Sequence, residues 1–384
     1  MEFSPSKLRQ RPLLENASFQ FGIEEEYFVC ERDTLQPAMR TPDDLFEYRD
    51  ARVGAPLNRE MLQAQIEVGT RPHVSCSAAR DELITLRGAA AEAASRHGLT
   101  IIAAGTHPTA DWRESVHSPK PRYDDLIEGL QIVGRRNMLC GLHVHVEVRD
   151  PDIRIDLMRR IIPYIPLLLA LSTSSPFWQG EYTGLKGYRL TAYDELPRTG
   201  IPELFRSEHE YDAYVQALVS SGAIPDASHI WWSVRPSPKY ETLELRAPDC
   251  CTRLDDAIAI AALYRSLLRF LCRYPELNAE LDAVDRAVAV ENKWQAQRHG
   301  IEASFSSSAG AVTATEMLDD VVKQISADAA ALGCVNEVLG CCRIVREGTS
   351  ADEQLRRFFP TERDAEPGGF TPVLEWLAST TLTT

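Results

Sequence analysis

Glu24 and Glu26 stand two residues apart in Gly22-Ile23-Glu24-Glu25-Glu26-Tyr27. His143, His145 and Glu147 keep the same spacing in Gly141-Leu142-His143-Val144-His145-Val146-Glu147. Alternate side chains of a strand share a face. Each segment therefore turns its acids or imidazoles to one side, and Leu142, Val144 and Val146 take the other. Two such strands laid side by side would make an acidic wall with imidazoles beside it. That setting suits hard divalent cations, Mg²⁺ or Mn²⁺ above all.

Burying two carboxylates on one strand face is costly unless a cation balances them. Phe21, Ile23, Tyr27 and Phe28 argue that the first strand is central, which favours a metal over a solvated face. An HxH pair alone is a weak signal, since zinc hydrolases use it too. Glu67, in Gln65-Ile66-Glu67-Val68-Gly69, reads equally well as a third ligand or an exposed strand acid. Glu244 and Arg246 again share a face. They fit a metal ligand beside a phosphate clamp, or a surface ion pair. Two residues of strand rise would set the cation about 7 Å along from the acid. Lys186 and Arg189 lie in Thr183-Gly184-Leu185-Lys186-Gly187-Tyr188-Arg189. Cations there could grip a carboxylate or phosphate, or only solubilise a loop.

The elements that must position these groups are legible as patterns. Residues 19–29, 62–68, 99–104 and 139–148 read as strands. Residues 229–235 and 240–246 read as a hairpin joined by Pro236-Ser237-Pro238-Lys239. Residues 76–97, 155–171, 207–221, 253–273, 279–294 and 314–332 read as helices, with Gly98 and Gly222 beyond two of their ends. Residues 172–194 are too long for a plain connector and are expected to be a functional loop that closes over substrate. Residues after about 361 read as a loosely packed tail. Strands that pair locally favour an α+β fold, with a mostly antiparallel sheet flanked by helices. A single catalytic domain is expected over 18–384. Its sheet core covers about 18–250 and its helical part about 251–360, after a polar segment at 1–17.

The formal charge of -15 across 384 residues argues against nucleic acid or an anionic membrane as partner. Nine scattered cysteines, with no CxxC pair, read as reduced packing thiols of a cytoplasmic protein. The N-terminus has no apolar signal region. Residues 161–171 are too short to span a bilayer and read as a buried helix. No GxxxxGK[ST], GxGxxG or GxSxG occurs, so a bound nucleotide would have to be held by metals and arginines.

Taken together, the segments resemble the glutamate–cysteine ligase type 2 family, in particular its YbdK-like carboxylate–amine ligase branch. Phe21-Gly22-Ile23-Glu24-Glu25-Glu26-Tyr27, Ala104-Gly105-Thr106-His107-Pro108 and Gly141 to Val146 carry the resemblance. So do Ser174-Ser175-Pro176-Phe177-Trp178-Gln179-Gly180, Thr183-Gly184-Leu185 and Tyr188-Arg189. Trp231-Trp232-Ser233-Val234-Arg235-Pro236, Glu244-Leu245-Arg246, and Asn292-Lys293-Trp294 with Arg298 complete the ordered set. The resemblance implies a glutamine-synthetase-like fold and an ATP-dependent ligase. Its acid substrate would be a small carboxylate such as glutamate, and its amine one such as cysteine. A homodimer is compatible with this class. By motif, Glu24, Glu26, Glu67, His143 and Glu244 become the metal shell. Arg246, Arg189 and His145 become the catalytic groups, and Arg235, Lys186, Arg298 and Trp232 the substrate or ATP contacts. Ser233, where the family often has Asp, and Lys186, at a position often small or apolar, depart from the pattern. Two other readings compete. One is a metal-dependent hydrolase built on the HxH pair, recruiting His73, His107, His117 or His229. The other is a catalytically idle binder of nucleotides or amino acids.

Overall fold

Strand β1, Phe21–Glu31, is apolar enough on its back face to sit at the centre of a sheet, and it does. The computed structural model describes residues 17–55, 57–359 and 369–383. β1 pairs on one side with β3, Gln65–Gly69, and on the other with β5, Leu142–Glu147. The path runs β2 (Asn58–Arg59), β3, β1, β5, β9 (Thr242–Leu245), β8 (Val234–Pro236). β4, Leu99–Ile102, pairs with the far half of β1. Every ladder is antiparallel. The α+β expectation therefore holds.

Register carries the site. Glu26 stands opposite Glu67, Glu24 opposite His143, and His145 opposite Glu244, which in turn faces Arg235. Directly paired residues point to the same side of a sheet. One face therefore collects the acids and imidazoles of four strands. The other buries Ile23, Tyr27, Ile66, Val68, Val144, Val146, Leu243 and Leu245. Helices α1, Cys76–Ser95, and α2, Leu254–Arg273, pack against that side.

Glu25 also points to the back face, and there it is fully buried. Its carboxylate accepts from Arg87 Nε at 2.8 Å and Nη2 at 2.6 Å, and from the Tyr27 hydroxyl at 2.5 Å. Arg87 also donates to the carbonyls of Thr252, Cys251 and Thr381. One ion pair thus joins β1, α1, the start of α2 and the C-terminal helix.

Several expectations are corrected. Residues 172–194 are not an open loop. Phe177–Trp178 and Glu181–Tyr182 form a hairpin, and Tyr188–Tyr193 form helix α3. The hairpin turns at Gln179 and Gly180, both with positive φ, as a tight two-residue turn requires. Hydrogen bonds from Lys186 N and Gly187 N to the Gln297 carbonyl, and from Tyr188 N to Ser175 O, fasten the segment down. The tail after 361 is not loose where it is described. Helix α4, Thr371–Thr381, buries Val373 and Leu377, and Thr381 Oγ1 accepts from Ala103 N. Helices Val335–Glu347 and Ser350–Phe358 continue the helical part beyond the elements expected from sequence. Residues 1–16 lie outside the described residues. Seven of the nine cysteines are buried. Ile165–Ser172 is a buried helix, and no described helix is long and apolar enough to cross a membrane.

Candidate active site

The acidic face of the sheet lines a cavity of about 850 Å³. Glu24, Glu26, Glu67, His143, His145, Arg189, Arg235, Glu244 and Arg246 all border it. The register brings donor atoms of three overlapping triads within 4.8 Å of one another. These are Glu24–Glu67–His143, Glu24–His145–Glu244 and Glu26–Glu60–Glu67. Glu60 was not expected from the sequence. It lies just beyond β2, outside any alternating pattern, so only its proximity to Glu67 across the fold could have found it.

The groups sit at distances that leave room between them. Glu24 Oε2 is 3.6 Å from His143 Nδ1 and 3.5 Å from His145 Nε2. His143 Nε2 is 3.8 Å from Glu26 Oε1, and His145 Nε2 is 4.0 Å from Glu244 Oε1. Both Nε2 atoms are buried without a hydrogen-bond partner. His145 Nδ1 pairs with Thr242 Oγ1 at 2.9 Å, which orients the ring.

Charge divides the acids into two groups. Burial pushes Glu60 up to about 7, with help from the Glu26 charge. Burial also raises Glu67 and Glu26, with Arg189 acting against the shift at Glu26. Burial works the same way on Glu244 and Glu24, but there it is outweighed. Arg246, Arg235 and the imidazoles hold Glu244 well below the usual range, and His143 and His145 do the same for Glu24. Burial and Arg246 push His143 down to about 4. Burial lowers His145 too, but Glu24 and Glu244 raise it on balance.

The cluster fits a divalent metal. Five carboxylates supply hard oxygen donors. Burial raises three of them, and two buried imidazole nitrogens have no hydrogen-bond partner. A cation placed among them would answer both deficits.

The arginines differ from expectation. Arg246 does not extend along the strand. Its Nη1 folds back onto Glu244 and its Nη2 donates to the Tyr193 hydroxyl at 3.1 Å, while its Nε is unpaired. Arg235 is largely spent. Its Nε donates to Glu244 at 2.8 Å, and its Nη1 donates to the carbonyls of Ser228 and Ile230. Arg189 borders the cavity from α3 with its Nε unpaired.

Lys186, Arg298 and Trp232 do not border the cavity. Lys186 Nζ is taken by Glu302 at 2.7 Å and Asp352 at 2.6 Å. Trp232 is buried and stacks on Tyr214 at 5.6 Å, while its neighbour Trp231 faces the cavity. Arg298 lies in the last turn of helix Ala283–His299. Lys120, Arg122, Tyr123, Lys239 and Tyr240 line the outer cavity instead. They come from a helix, Pro121–Leu130, with Lys120 at its N-cap, and from a hairpin turn, and neither showed a chemical pattern in sequence.

Glutamate-cysteine ligase family 2 matches residues 20–374. A protein of Bradyrhizobium sp. (strain ORS 278), provisionally named glutamate–cysteine ligase 2, is 53% identical over 369 residues, covering 96% of this chain and 89% of its own length. A protein of Rhodospirillum rubrum under the same provisional name is 45% identical over 361 residues, covering 92% of each chain. The fold matches that of glutamate–cysteine ligase from Francisella tularensis, solved in complex with AMP, with a TM-score of 0.71 at 13% identity, covering 94% of this chain and 88% of that one. It also matches a bifunctional glutathione synthetase from Pasteurella multocida, with a TM-score of 0.69 at 14% identity, covering 96% of this chain and 53% of that one. By the extent of the family match and the identity of these relatives, the chain belongs to glutamate–cysteine ligase family 2.

Proposed function

We propose that this protein is an ATP-dependent carboxylate–amine ligase that works through an acyl phosphate and releases ADP and phosphate. The observation that carries the reading is the register-built face. Three acid and imidazole triads share one cavity with Arg189, Arg235 and Arg246. Mg²⁺ or Mn²⁺ would be held by Glu24, His145 and Glu244, and by Glu26, Glu60 and Glu67, with His143 between the two groups. When bound, the metal would neutralise phosphate charge and align it for transfer.

The chain's own residues do the rest. Arg246, braced by Glu244 and Tyr193, borders the cavity. It can stabilise charge that develops on a transferred phosphoryl group. Glu244, held ionised by its guanidinium neighbours, stays ready as an acceptor. His145, fixed by Thr242 through Nδ1, turns its Nε2 toward Glu24 and Glu244, where it would serve as the nitrogen ligand of the metal. Lys120, Arg122 and Lys239 make the outer cavity attractive to anionic substrates. Residues 18–384 are read as one catalytic domain, since α4 packs back onto β4 and α1 through Thr381. Glutamate and cysteine are the first acid and amine to test.

The hydrolase reading wants further histidines at the HxH pair. His107 is instead bonded to Leu35 O, His73 to Glu82 and His117 to Asp124, and His229 joins no triad among the described residues. The test is to incubate the protein with ATP, Mg²⁺ and a pool of acids and amines. ADP formed only when both acid and amine are present supports the ligase. AMP and pyrophosphate would overturn the acyl-phosphate route, and no ATP turnover would overturn the ligase.

A further inference from the structure

Asp249 is a fully buried carboxylate with no ion pair among the described residues. It lies just past β9, three residues beyond Arg246. Its Oδ2 accepts from Ser174 N at 2.9 Å and from the Ser175 hydroxyl at 2.6 Å, and its Oδ1 has no partner. Burying a carboxylate with no cation in direct contact is expensive, and an asparagine could accept the same two hydrogen bonds more cheaply. The charge therefore calls for a function.

Its surroundings point to Arg189. The Ser175 hydroxyl that donates to Asp249 accepts, in turn, from Arg189 N at 2.9 Å. This pins the first turn of α3. The turn leading into Asp249 supplies the other end of the hold, where Arg189 Nη1 donates to Pro248 O at 3.1 Å and to Arg246 O at 3.3 Å. Two glycines clear the space. A Cβ at Gly105 would lie 2.7 Å from the Asp249 carboxylate, and one at Gly141 would lie 2.1 Å from Arg189 Nη2. Gly141 N also donates to Glu26 Oε2 at 2.5 Å. Arg189 thus meets the Glu26 end of the acidic face at Gly141.

We infer that Asp249 is a positioning residue, holding the Arg189 guanidinium against the Glu26 side of the cavity by its charge and through Ser175. The inference rests on the proposed ligase for what the cavity does, but the placement of Arg189 stands on geometry alone. Asp249 does not border the cavity.

A double-mutant cycle tests it. Asp249→Asn should lower kcat/KM for ATP-dependent ligation by about tenfold or more, the usual effect of removing a group that orients a functional side chain. In an Arg189→Ala background the same change should cost no more than about threefold, because residues that act through one another are not additive. Ser175→Ala should show the same non-additivity. The unfolding temperature of Asp249→Asn should hold, since an amide oxygen can accept the same two hydrogen bonds. A merely structural Asp249 would lower the unfolding temperature and cost the same factor in both backgrounds, and that result overturns the inference. So does full activity in Asp249→Asn. The cycle is also read on the Kd for Mg²⁺-ATP, which needs no turnover. If the wild type binds Mg²⁺-ATP but forms no ADP, the ligase reading fails while the Kd cycle still decides this one. Additive Kd changes would then overturn it, and a wild type that binds no Mg²⁺-ATP removes both.

Discussion

The run Glu24-Glu25-Glu26 places three identical residues in two opposite roles, and substituting each by Gln should separate them. Glu25 is buried on the helix side against Arg87. Glu24 and Glu26 face the cavity among other acids. Removing one partner of a buried ion pair strands the other charge, at a cost of about 3–5 kcal/mol. Unfolding entropy near 2.1 cal/mol/K per residue gives roughly 0.8 kcal/mol/K for a chain of 384 residues. Glu25→Gln should therefore lower the unfolding temperature by about 4–6 °C. Arg87 would keep its carbonyl partners at Cys251 and Thr252, so the fold should survive the change.

Glu26→Gln takes a negative charge out of a crowded acidic cluster. In EDTA it should hold or raise the unfolding temperature, while ATP turnover with acid and amine is lost. Glu24→Gln should behave likewise. The assay is differential scanning fluorimetry in EDTA beside ADP release at 25 °C, with circular dichroism to confirm folding. Glu25→Gln should keep turnover within a few-fold at that temperature. Equal melting for Glu25→Gln and Glu26→Gln would refute the assignment of faces. So would loss of turnover in a folded Glu25→Gln protein.

Four further outcomes follow from the same geometry. Gly141→Ala would drive a methyl group into Arg189 Nη2 and to 3.0 Å from His143 Nε2, so turnover should fall at least tenfold in a folded protein; near-normal kinetics would show that this close approach is not needed. Saturating Mg²⁺ or Mn²⁺ at about 100 times Kd adds about 2.7 kcal/mol, or roughly 3 °C by the entropy above, and EDTA should reverse it; no shift in calorimetry would remove the metal from the cluster. Glu60, pushed up to about 7, binds more protons folded than unfolded, so its contribution to stability is full below about 4.5 and lost as pH rises through 7. In EDTA the wild type should therefore lose stability across that window and Glu60→Gln should lose less; parallel melting curves would contradict it. Ending the chain at residue 368 removes α4, and with it Thr381 from Arg87 and Ala103, so soluble folded protein should be lost; a fully stable truncation would show that helix to be peripheral.

Strand parity made most of the site readable. Glu24, Glu26, Glu67, His143, His145 and Glu244 were all marked by a two-residue period, and antiparallel pairing then placed them opposite one another. Parity says nothing of distance between strands, so Glu60, outside any periodic run, stayed hidden. Parity also fails where regular strand ends. His229 sits in a 3-10 turn at 227–229, and β8 begins only at Val234, so alternation could not choose between Trp231 and Trp232. The structure turns Trp231 to the cavity and buries Trp232 under Tyr214. Long side chains escaped for another reason. A backbone pattern fixes where an arginine starts, not where its guanidinium ends, and Arg246 ends on Glu244 rather than along the strand. Residues 172–194 looked like a loop because their order comes from contacts far away in sequence, with Gln297 and Asp249. Glu25 shows the same limit from the opposite side. Its sequence neighbours are cavity acids, yet its partner Arg87 lies 62 residues on, and only the packing of α1 against the sheet reveals that the middle glutamate stabilises the fold while its neighbours equip the cavity.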